Sequence, residues 1–191
     1  MSNNPDNGKV KTNYNKSKSV NYLFDLVKNI IFVFIVVMLL FVFVFRDAKV
    51  VGSSMLDTLH QEDRILLTNI MYKPHNNDIV VIYKENLADK RIIKRVIAKE
   101  GQTLQIDYNT GSVYVDGIKL DEPYISSFTK QATHPLDIPY LIPEGYIFVM
   151  GDNRSGSLDS RDTSIGLVPI DDVIGKAEMV LYPFNRIKYI Y

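Results

Sequence analysis

The stretch Ile30-Ile31-Phe32-Val33-Phe34-Ile35-Val36-Val37-Met38-Leu39-Leu40-Phe41-Val42-Phe43-Val44-Phe45 contains sixteen consecutive apolar residues. As a helix it rises about 24 Å, and continuing it back to Leu23 makes it long enough to cross a bilayer. The alternative is a buried helix of a soluble protein, but a segment apolar on every face has no side to show to water. A cleavable leader would have a shorter core and a small-x-small exit, whereas this run leaves through Arg46-Asp47-Ala48. We predict an uncleaved membrane anchor over residues 23–45.

Residues 1–22 are rich in Asn, Lys and Ser and are predicted to form a solvated polar tail. Residues 1–28 carry five lysines against Asp6 and Asp25. Basic residues beside a membrane span favour the cytoplasmic side. We therefore expect the N-terminus in the cytoplasm and residues 46–191, which are enough for one compact domain, outside it.

The pattern changes after the anchor to short β-type runs separated by turn residues. Asn109-Thr110-Gly111 and Asp116-Gly117 are hairpin signals, and residues 126–143 look like an irregular loop. The fold class is therefore mainly β: one N-terminal transmembrane helix followed by an all-β domain. The predicted strands cover residues 64–68, 78–83, 91–98, 103–108, 112–115, 146–150 and 176–182.

Composition excludes several functions. The formal net charge is zero and is negative beyond the tail, so the folded part lacks the basic excess typical of nucleic-acid binding. The absence of cysteine excludes disulfides, cysteine nucleophiles and thiolate metal sites.

Ser54 is a candidate nucleophile at a membrane surface. Only eight residues separate it from Phe45, and eight extended residues span at most roughly 28 Å. A serine attacks only if a base takes its proton, and histidine is the usual base. His60, His75 and His134 all lie in turn or loop sequence, so we expect them to be exposed and outside the site.

Lysine is the other base available, and it must be neutral to accept a proton. At a reference pKa near 10.4, roughly one lysine in 2,500 is neutral at pH 7, and lowering the pKa to about 8 takes about 3 kcal/mol of desolvation. Lys94 lies within the apolar run of residues 92–97, which can supply that desolvation. Its neighbour Arg95 should point to the opposite face of the strand and remain in water.

The segment Gly-Asp-Asn-Arg-Ser-Gly-Ser-Leu-Asp-Ser-Arg, residues 151–161, suggests a buried polar network beside an apolar strand. A hydroxyl such as that of Ser157 could donate to a neutral lysine amine and orient it. Two acids and two arginines could pair and fix the shape of the loop. These charged residues are Asp152, Arg154, Asp159 and Arg161.

The sequence offers two other candidate sites. Asp152, Asn153, Ser157 and Asp159 offer oxygens to calcium, but the two arginines would repel the cation and the EF-hand spacing is absent. A Ser-x-x-Lys pair at residues 127–130 matches penicillin-recognising enzymes but lacks their helix start and Lys-Thr-Gly strand. We predict no metal and no cofactor.

These segments together make the chain similar to the type I signal peptidases, in the short single-anchor form of Gram-positive-type bacteria. The resemblance runs from the anchor to Asn185. It implies a Ser-Lys serine endopeptidase with Ser54 as nucleophile, Lys94 as general base and Ser157 as the residue that positions the lysine. It also implies a supporting network of Asp152, Arg154, Asp159 and Arg161, and a small noncatalytic β lobe over about 103–145. The motifs are Gly52-x-Ser54-Met55-x-x-Thr58-Leu59, Asp78-Ile79-Val80-Val81, Lys94-Arg95-Val96-Ile97 and the segment 151–161.

The family resemblance implies removal of N-terminal signal peptides from exported preproteins after a small-x-small motif. The expected partners are signal-peptide-bearing preproteins, the lipid bilayer and the secretion translocon. The substrate should bind as an added strand between the segments leading into Ser54 and Lys94.

Four positions depart from the family pattern. Asp57 and Glu100 stand where proline is usual, and Gln102 stands where aspartate is usual. At Gly52, where some members have a serine hydroxyl, the oxyanion hole would rest on backbone groups such as the Ser54 N–H. A noncatalytic or dedicated membrane-tethered β module that binds exported peptides is the alternative function. A self-cleaving Ser-Lys repressor would need a DNA-binding domain in place of residues 1–45.

Overall fold

The computed structural model of the chain describes residues 7–69, 71–85, 91–137 and 141–190, with the backbone alone for residues 7–20 and 40–45. The chain divides into two compact units, which meet in sequence between Val44 and Phe45. The first unit contains a helix, and the second is built from strands.

Helix α1 covers Asn7–Val44. Within it, the segment Asn21–Leu39 has a mean hydropathy of 2.2, and none of it is buried by the rest of the structure. Such a surface fits a lipid surrounding, because hydrocarbon covers apolar side chains on every face while the helix satisfies its own backbone. The helix ends one residue before the predicted end of the anchor and begins well inside the predicted polar tail. Helical backbone from Asn7 onward is compatible with a solvated tail.

In the residues that the structure describes, the second unit contains eleven strands in two antiparallel sheets. The larger sheet has the order β1-β2-β10-β3-β4-β8-β9, with β11 paired to β10, and the smaller has the order β5-β6-β7. In chain order the strands are β1 Phe45–Lys49, β2 Arg64–Thr68, β3 Ile79–Tyr83, β4 Arg91–Lys99, β5 Leu104–Asp107, β6 Ser112–Val115, β7 Ile118–Lys119, β8 Tyr146–Met150, β9 Val168–Pro169, β10 Val173–Tyr182 and β11 Lys188–Tyr189.

All seven predicted strands are present, with ends that differ by three residues at most. The mainly β fold class is therefore confirmed. Four strands were not predicted: β1, β7, β9 and β11. They are short or polar, and pairing with a neighbouring strand rather than a hydrophobic pattern gives them their conformation.

The smaller sheet lies within residues 103–145, where the family resemblance led us to expect a small lobe. Both predicted hairpin turns are present, and Gly111 and Gly117 adopt positive φ angles of 73° and 75° in them. At Gly111, a Cβ atom would come 2.8 Å from the ring of Phe128, so glycine also lets the irregular loop pack on the hairpin.

Candidate active site

Ser54 and Lys94 are in contact. The Lys94 Nζ lies 2.8 Å from Ser54 Oγ and 3.0 Å from the carbonyl oxygen of Ile93. Lys94 is held in the middle of β4, where it pairs with Val80 of β3. After Ser54 the chain turns and buries Met55 and Leu59 in the core, with the Leu59 N–H donating to the Met55 carbonyl at 2.8 Å. The buried side chains of Met55 and Leu59 therefore fix the nucleophile segment opposite the lysine.

The Lys94 side chain is almost completely buried, with 3% of its surface exposed. Burial lowers its pKa from 10.5 to about 8, opposed by the negative charges of Asp159 and Asp152 and helped by the positive charge of Arg161. No carboxylate among the described residues forms an ion pair with Lys94. Its amine is therefore neutral in a useful fraction of molecules near pH 8, and a neutral amine can accept the serine proton.

The three histidines lie outside this site. All three are exposed, as the sequence predicted. His60 contacts Arg186, His75 lies 3.6 Å from Asp78, and His134 lies 3.7 Å from Asp162. Among the described residues, Lys94 is therefore the base within hydrogen-bonding distance of Ser54.

The prediction that Arg95 stays in water is wrong. Its guanidinium is 1% exposed and binds Asp152 through two hydrogen bonds, of 2.9 Å from Nε and 2.7 Å from Nη2. It also donates to the Asn77 carbonyl at 2.8 Å and lies 3.9 Å from the centre of the Tyr124 ring. The physical reason is the neighbouring strand: β8 pairs with β4 and delivers Asp152 two residues after its end. A buried carboxylate is stable only when its charge is paired, and Arg95 supplies the cation.

The other predicted network residues are also buried. Arg161 binds Asp159 at 2.8 Å and donates to the carbonyl oxygens of Lys130 and Arg154. Arg154 pairs with Glu122, a residue that sequence reasoning did not single out.

The ion pairs of this network bear on the possible calcium site and on the Ser-x-x-Lys segment. Asp152 and Asp159, the carboxylates of the possible calcium site, each bind a guanidinium. In the Ser-x-x-Lys segment, Ser127 accepts a hydrogen bond from the Ser155 N–H at 3.2 Å and the buried Thr129 accepts one from Arg154 at 2.7 Å. That segment supports the network and lies outside the Ser54–Lys94 pair.

Ser157 lies beside the nucleophile segment. A Cβ atom at Gly151 would overlap Ser157 Oγ and would come within 2.5 Å of the Ser54 carbonyl oxygen, so only glycine permits this approach. The Ser157 Oγ is buried and has no hydrogen-bond partner among the described residues. The predicted hydrogen bond from Ser157 to Lys94 is therefore not formed in this structure.

Asn153 contacts two successive carbonyls at the nucleophile. Its backbone N–H donates to Ser54 O at 3.0 Å, and its side-chain Nδ2 donates to Ser53 O at 3.1 Å. In the same region Thr58 Oγ1 donates to Asp152. Hydrogen bonds thus join two residues of the 151–161 loop to three residues of the nucleophile segment.

A cleft of about 360 Å³ opens in front of the pair. It is lined by residues 48–52, by residues 91–94, and by Ser54, Met55 and Val81. Gly52 borders the cleft with φ +86° and carries no hydroxyl. In the described part of the chain no hydrogen bond engages the Ser54 N–H, which remains available to a ligand.

The three charged or polar residues that depart from the family pattern lie outside the lining of the cleft. Asp57 is exposed and is not among the charges that shift the pKa of Lys94. Glu100 accepts a hydrogen bond from the Gly145 N–H at 2.7 Å. Gln102 accepts one from the Lys99 N–H and donates one to Asp116, both at 3.0 Å. Glu100 and Gln102 thus stabilise turns, and all three departures leave the Ser54–Lys94 contact intact.

Comparison with known proteins finds relatives along most of the chain. The family described as "Signal peptidase, peptidase S26" matches residues 23–182. Signal peptidase I T of Bacillus subtilis (strain 168) is 34% identical over 94% of this chain and 95% of its own length. Signal peptidase I of Bacillus licheniformis is 35% identical over 88% of this chain and 93% of its own. A crystal structure of a signal peptidase I from Enterococcus faecalis V583 is 29% identical, with a TM-score of 0.44, and covers 55% of this chain and 97% of that chain.

Proposed function

The chain belongs to the signal peptidase family, peptidase S26, and we propose that Ser54 is its nucleophile and Lys94 its general base. The protein is a serine endopeptidase that removes signal peptides from preproteins. The observation that carries the assignment of residues is the 2.8 Å contact between Ser54 Oγ and a buried lysine without an ion-pair partner among the described residues.

The geometry supports a two-step reaction. The neutral amine of Lys94 takes the Ser54 proton as Oγ attacks the scissile carbonyl, and the resulting ammonium protonates the leaving amine. This leaves an ester between Ser54 and the signal peptide. Lys94, neutral again, then activates the water that hydrolyses the ester. The Ser54 N–H donates to the oxyanion in both steps.

Ser157 is proposed to hold the amine in place. A neutral amine has one lone pair and two N–H groups. If the lone pair accepts from Ser54 and one N–H donates to Ile93 O, one N–H is left over. The buried Ser157 Oγ lacks a partner among the described residues, and accepting this N–H would satisfy both groups. The ion pairs of Asp152, Arg154, Asp159 and Arg161 support this arrangement by fixing the loop that carries Ser157.

The substrate is proposed to enter the cleft as an extended strand. Residues 48–52 and 91–94 line it, and these are the segments leading into Ser54 and Lys94. Backbone hydrogen bonds would give affinity, and shallow apolar surfaces such as that of Val81 would admit small side chains.

The proposed organisation is a cytoplasmic tail over residues 1–22, an anchor over 23–45 and an extracytoplasmic catalytic domain over 46–191, with its smaller lobe at about 103–145. The five lysines that precede the apolar run support this orientation. Such a protein would contact the bilayer directly and would meet preproteins as they leave the secretion translocon.

Orientation can be tested cleanly because the chain has no cysteine. A membrane-impermeant maleimide applied to intact cells should label Asn109→Cys, in the exposed hairpin turn, and should leave Asn13→Cys, in the tail, unlabelled until the cells are opened. The reverse labelling would overturn the proposed orientation.

Activity is tested by incubating the full chain in detergent with a model preprotein that carries a small-x-small site. The wild type should cut after that site, and Ser54→Ala should not cut it. Ser157→Ala should cut more slowly, since the lysine loses its orienting group. Cleavage by Ser54→Ala at the wild-type rate would overturn the assignment of the nucleophile.

A further inference from the structure

Asn153 donates hydrogen bonds to the backbone carbonyls of Ser53 and Ser54. Its Nδ2 reaches Ser53 O at 3.1 Å, and its backbone N–H reaches Ser54 O at 3.0 Å. The Ser53 carbonyl also accepts the Leu56 N–H at 3.2 Å, but that bond lies within the nucleophile turn and moves with it. Asn153 is the contact that ties this carbonyl to a separate loop.

The orientation of the Ser53 carbonyl determines the direction of the Ser54 N–H. The bond between these residues is trans, so its C=O and N–H lie in one plane and point in opposite directions. With the carbonyl held towards Asn153, the N–H points away from the 151–161 loop. Within the described residues it has no hydrogen-bond partner. A rotation of this peptide plane would remove the donor from an oxyanion.

The Asn153 side chain is itself fixed. Its Oδ1 accepts a hydrogen bond from Ser155 Oγ at 3.3 Å, and its backbone carbonyl accepts the Gly156 N–H at 3.0 Å. Its neighbour Asp152 is anchored by Arg95 through two bonds. The amide therefore acts from a rigid position, as an orienting group must.

We propose that Asn153 is a positioning residue for the oxyanion hole: it holds the Ser53–Ser54 peptide so that the Ser54 N–H points at the developing negative charge. This inference rests on the proposed role of Ser54. The role matters more here than where a second donor exists, because Gly52 contributes no hydroxyl. The Lys94 amine is not contacted by Asn153, so the proton-transfer step should be unaffected.

The test compares Asn153→Ala and Asn153→Asp with the wild type on the model preprotein. Asn153→Asp keeps the size and the backbone contact, but it replaces the donor with a carboxylate oxygen that repels the Ser53 carbonyl. We expect kcat to fall about 10- to 100-fold in both variants, less than the loss of an oxyanion donor itself. We expect KM to change less than about twofold and the pH midpoint of the acid limb to stay where it is in the wild type.

A peptide aldehyde provides a second readout, since its hemiacetal oxygen occupies the oxyanion position when Ser54 adds to the carbonyl. Its inhibition constant should rise by the same factor as kcat/KM falls, while the affinity for the matching peptide alcohol should not change. Asn76→Ala is the matched control. It removes an asparagine amide that donates to the Ile97 carbonyl at 2.9 Å, so it costs a comparable hydrogen bond away from the nucleophile. It should keep the wild-type kcat.

The outcomes separate this inference from the proposed function. If the wild type cuts, Ser54→Ala is inactive and Asn153→Asp keeps the wild-type kcat and aldehyde affinity, the positioning role is wrong and the nucleophile stands. If kcat falls equally in Asn76→Ala, the effect is general destabilisation and the inference is overturned. If Ser54→Ala cuts as fast as the wild type, both assignments fail.

Discussion

Two lysines of the same sheet flank Val80 and have opposite surroundings. Val80 of β3 pairs on one side with Lys94 of β4 and on the other side with Lys176 of β10. Lys94 is buried, has no ion pair among the described residues, and its pKa falls to about 8. Lys176 is partly exposed and lies 3.0 Å from Asp78, whose hydrogen bond and charge raise its pKa.

The difference between them shows what makes a lysine a base. Both lie inside strands of one sheet and pair with the same residue, so strand position does not distinguish them. Burial distinguishes them first, because it removes water from Lys94 while Lys176 stays partly exposed. The charge nearby distinguishes them second: Asp78 stabilises the ammonium of Lys176, whereas the acids near Lys94 are already paired with Arg95 and Arg161. The buried arginines thus have a second effect, because they prevent Asp152 and Asp159 from forming ion pairs with Lys94.

The largest expected effect comes from exchanging each lysine for alanine. Lys94→Ala removes the general base and should lower kcat/KM by at least about 10³-fold. Lys176→Ala removes a lysine that remains protonated and should keep activity within about twofold of the wild type. Initial rates on the model preprotein measure both. Equal losses in the two variants would mean that the comparison has no bearing on catalysis.

A second experiment sharpens the comparison through stability. The folded-state pKa of Lys94 lies below its unfolded value, so the unfolded chain binds more protons between about pH 8 and 10.5. The contribution of Lys94 to wild-type stability should therefore rise with pH across that window, and its burial penalty should be complete below pH 8. At pH 7, Lys94→Met should be more stable than the wild type by up to about 3 kcal/mol, a gain that shrinks as the pH approaches 10.5.

Lys176→Met should change the stability in the opposite direction. Because the folded-state pKa of Lys176 is raised, its contribution to stability is complete below about pH 10.5 and is lost as the pH rises through the folded value. The variant should be less stable than the wild type at pH 7, by up to about 1 kcal/mol. Urea unfolding of the full chain in detergent, followed by circular dichroism, measures both variants. Destabilisation by Lys94→Met at every pH would contradict the assigned cost of burying Lys94.

The smallest expected effect concerns Asp57. Its side chain is exposed and is not among the charges that act on Lys94. Asp57→Asn should therefore change kcat/KM less than about twofold and leave the pH midpoint where it is. A midpoint that falls by a full pH unit would place the Asp57 carboxylate near Lys94 in the working enzyme.

Much of this arrangement could be predicted from local sequence. The apolar run identified the helix, β-branched residues identified seven strands, and the apolar neighbours of Lys94 identified the one lysine with a desolvating environment. Each of these signals lies within a few residues of the feature that it predicts.

What the sequence could not show depends on distant pairing. β1 is an edge strand with exposed Arg46 and Asp47, and it forms because β2 lies beside it. Arg95 was expected in water because its partner, Asp152, lies 57 residues away on another strand. Arg154 and Arg161 are nearer to Asp152 in sequence, so they were the expected partners of this carboxylate. Glu122, the partner of Arg154, was missed for the same reason.

The central claim is that Lys94 acts as a neutral base, and the pH dependence of kcat/KM between pH 6 and 10 tests it most directly. Since only the neutral amine accepts the proton, kcat/KM should fall tenfold per pH unit on the acid side of a midpoint near 8. The profile should keep this midpoint when His60, His75 and His134 are all replaced by glutamine. An acid limb with a midpoint near 6.5 that disappears in the histidine variant would contradict the account.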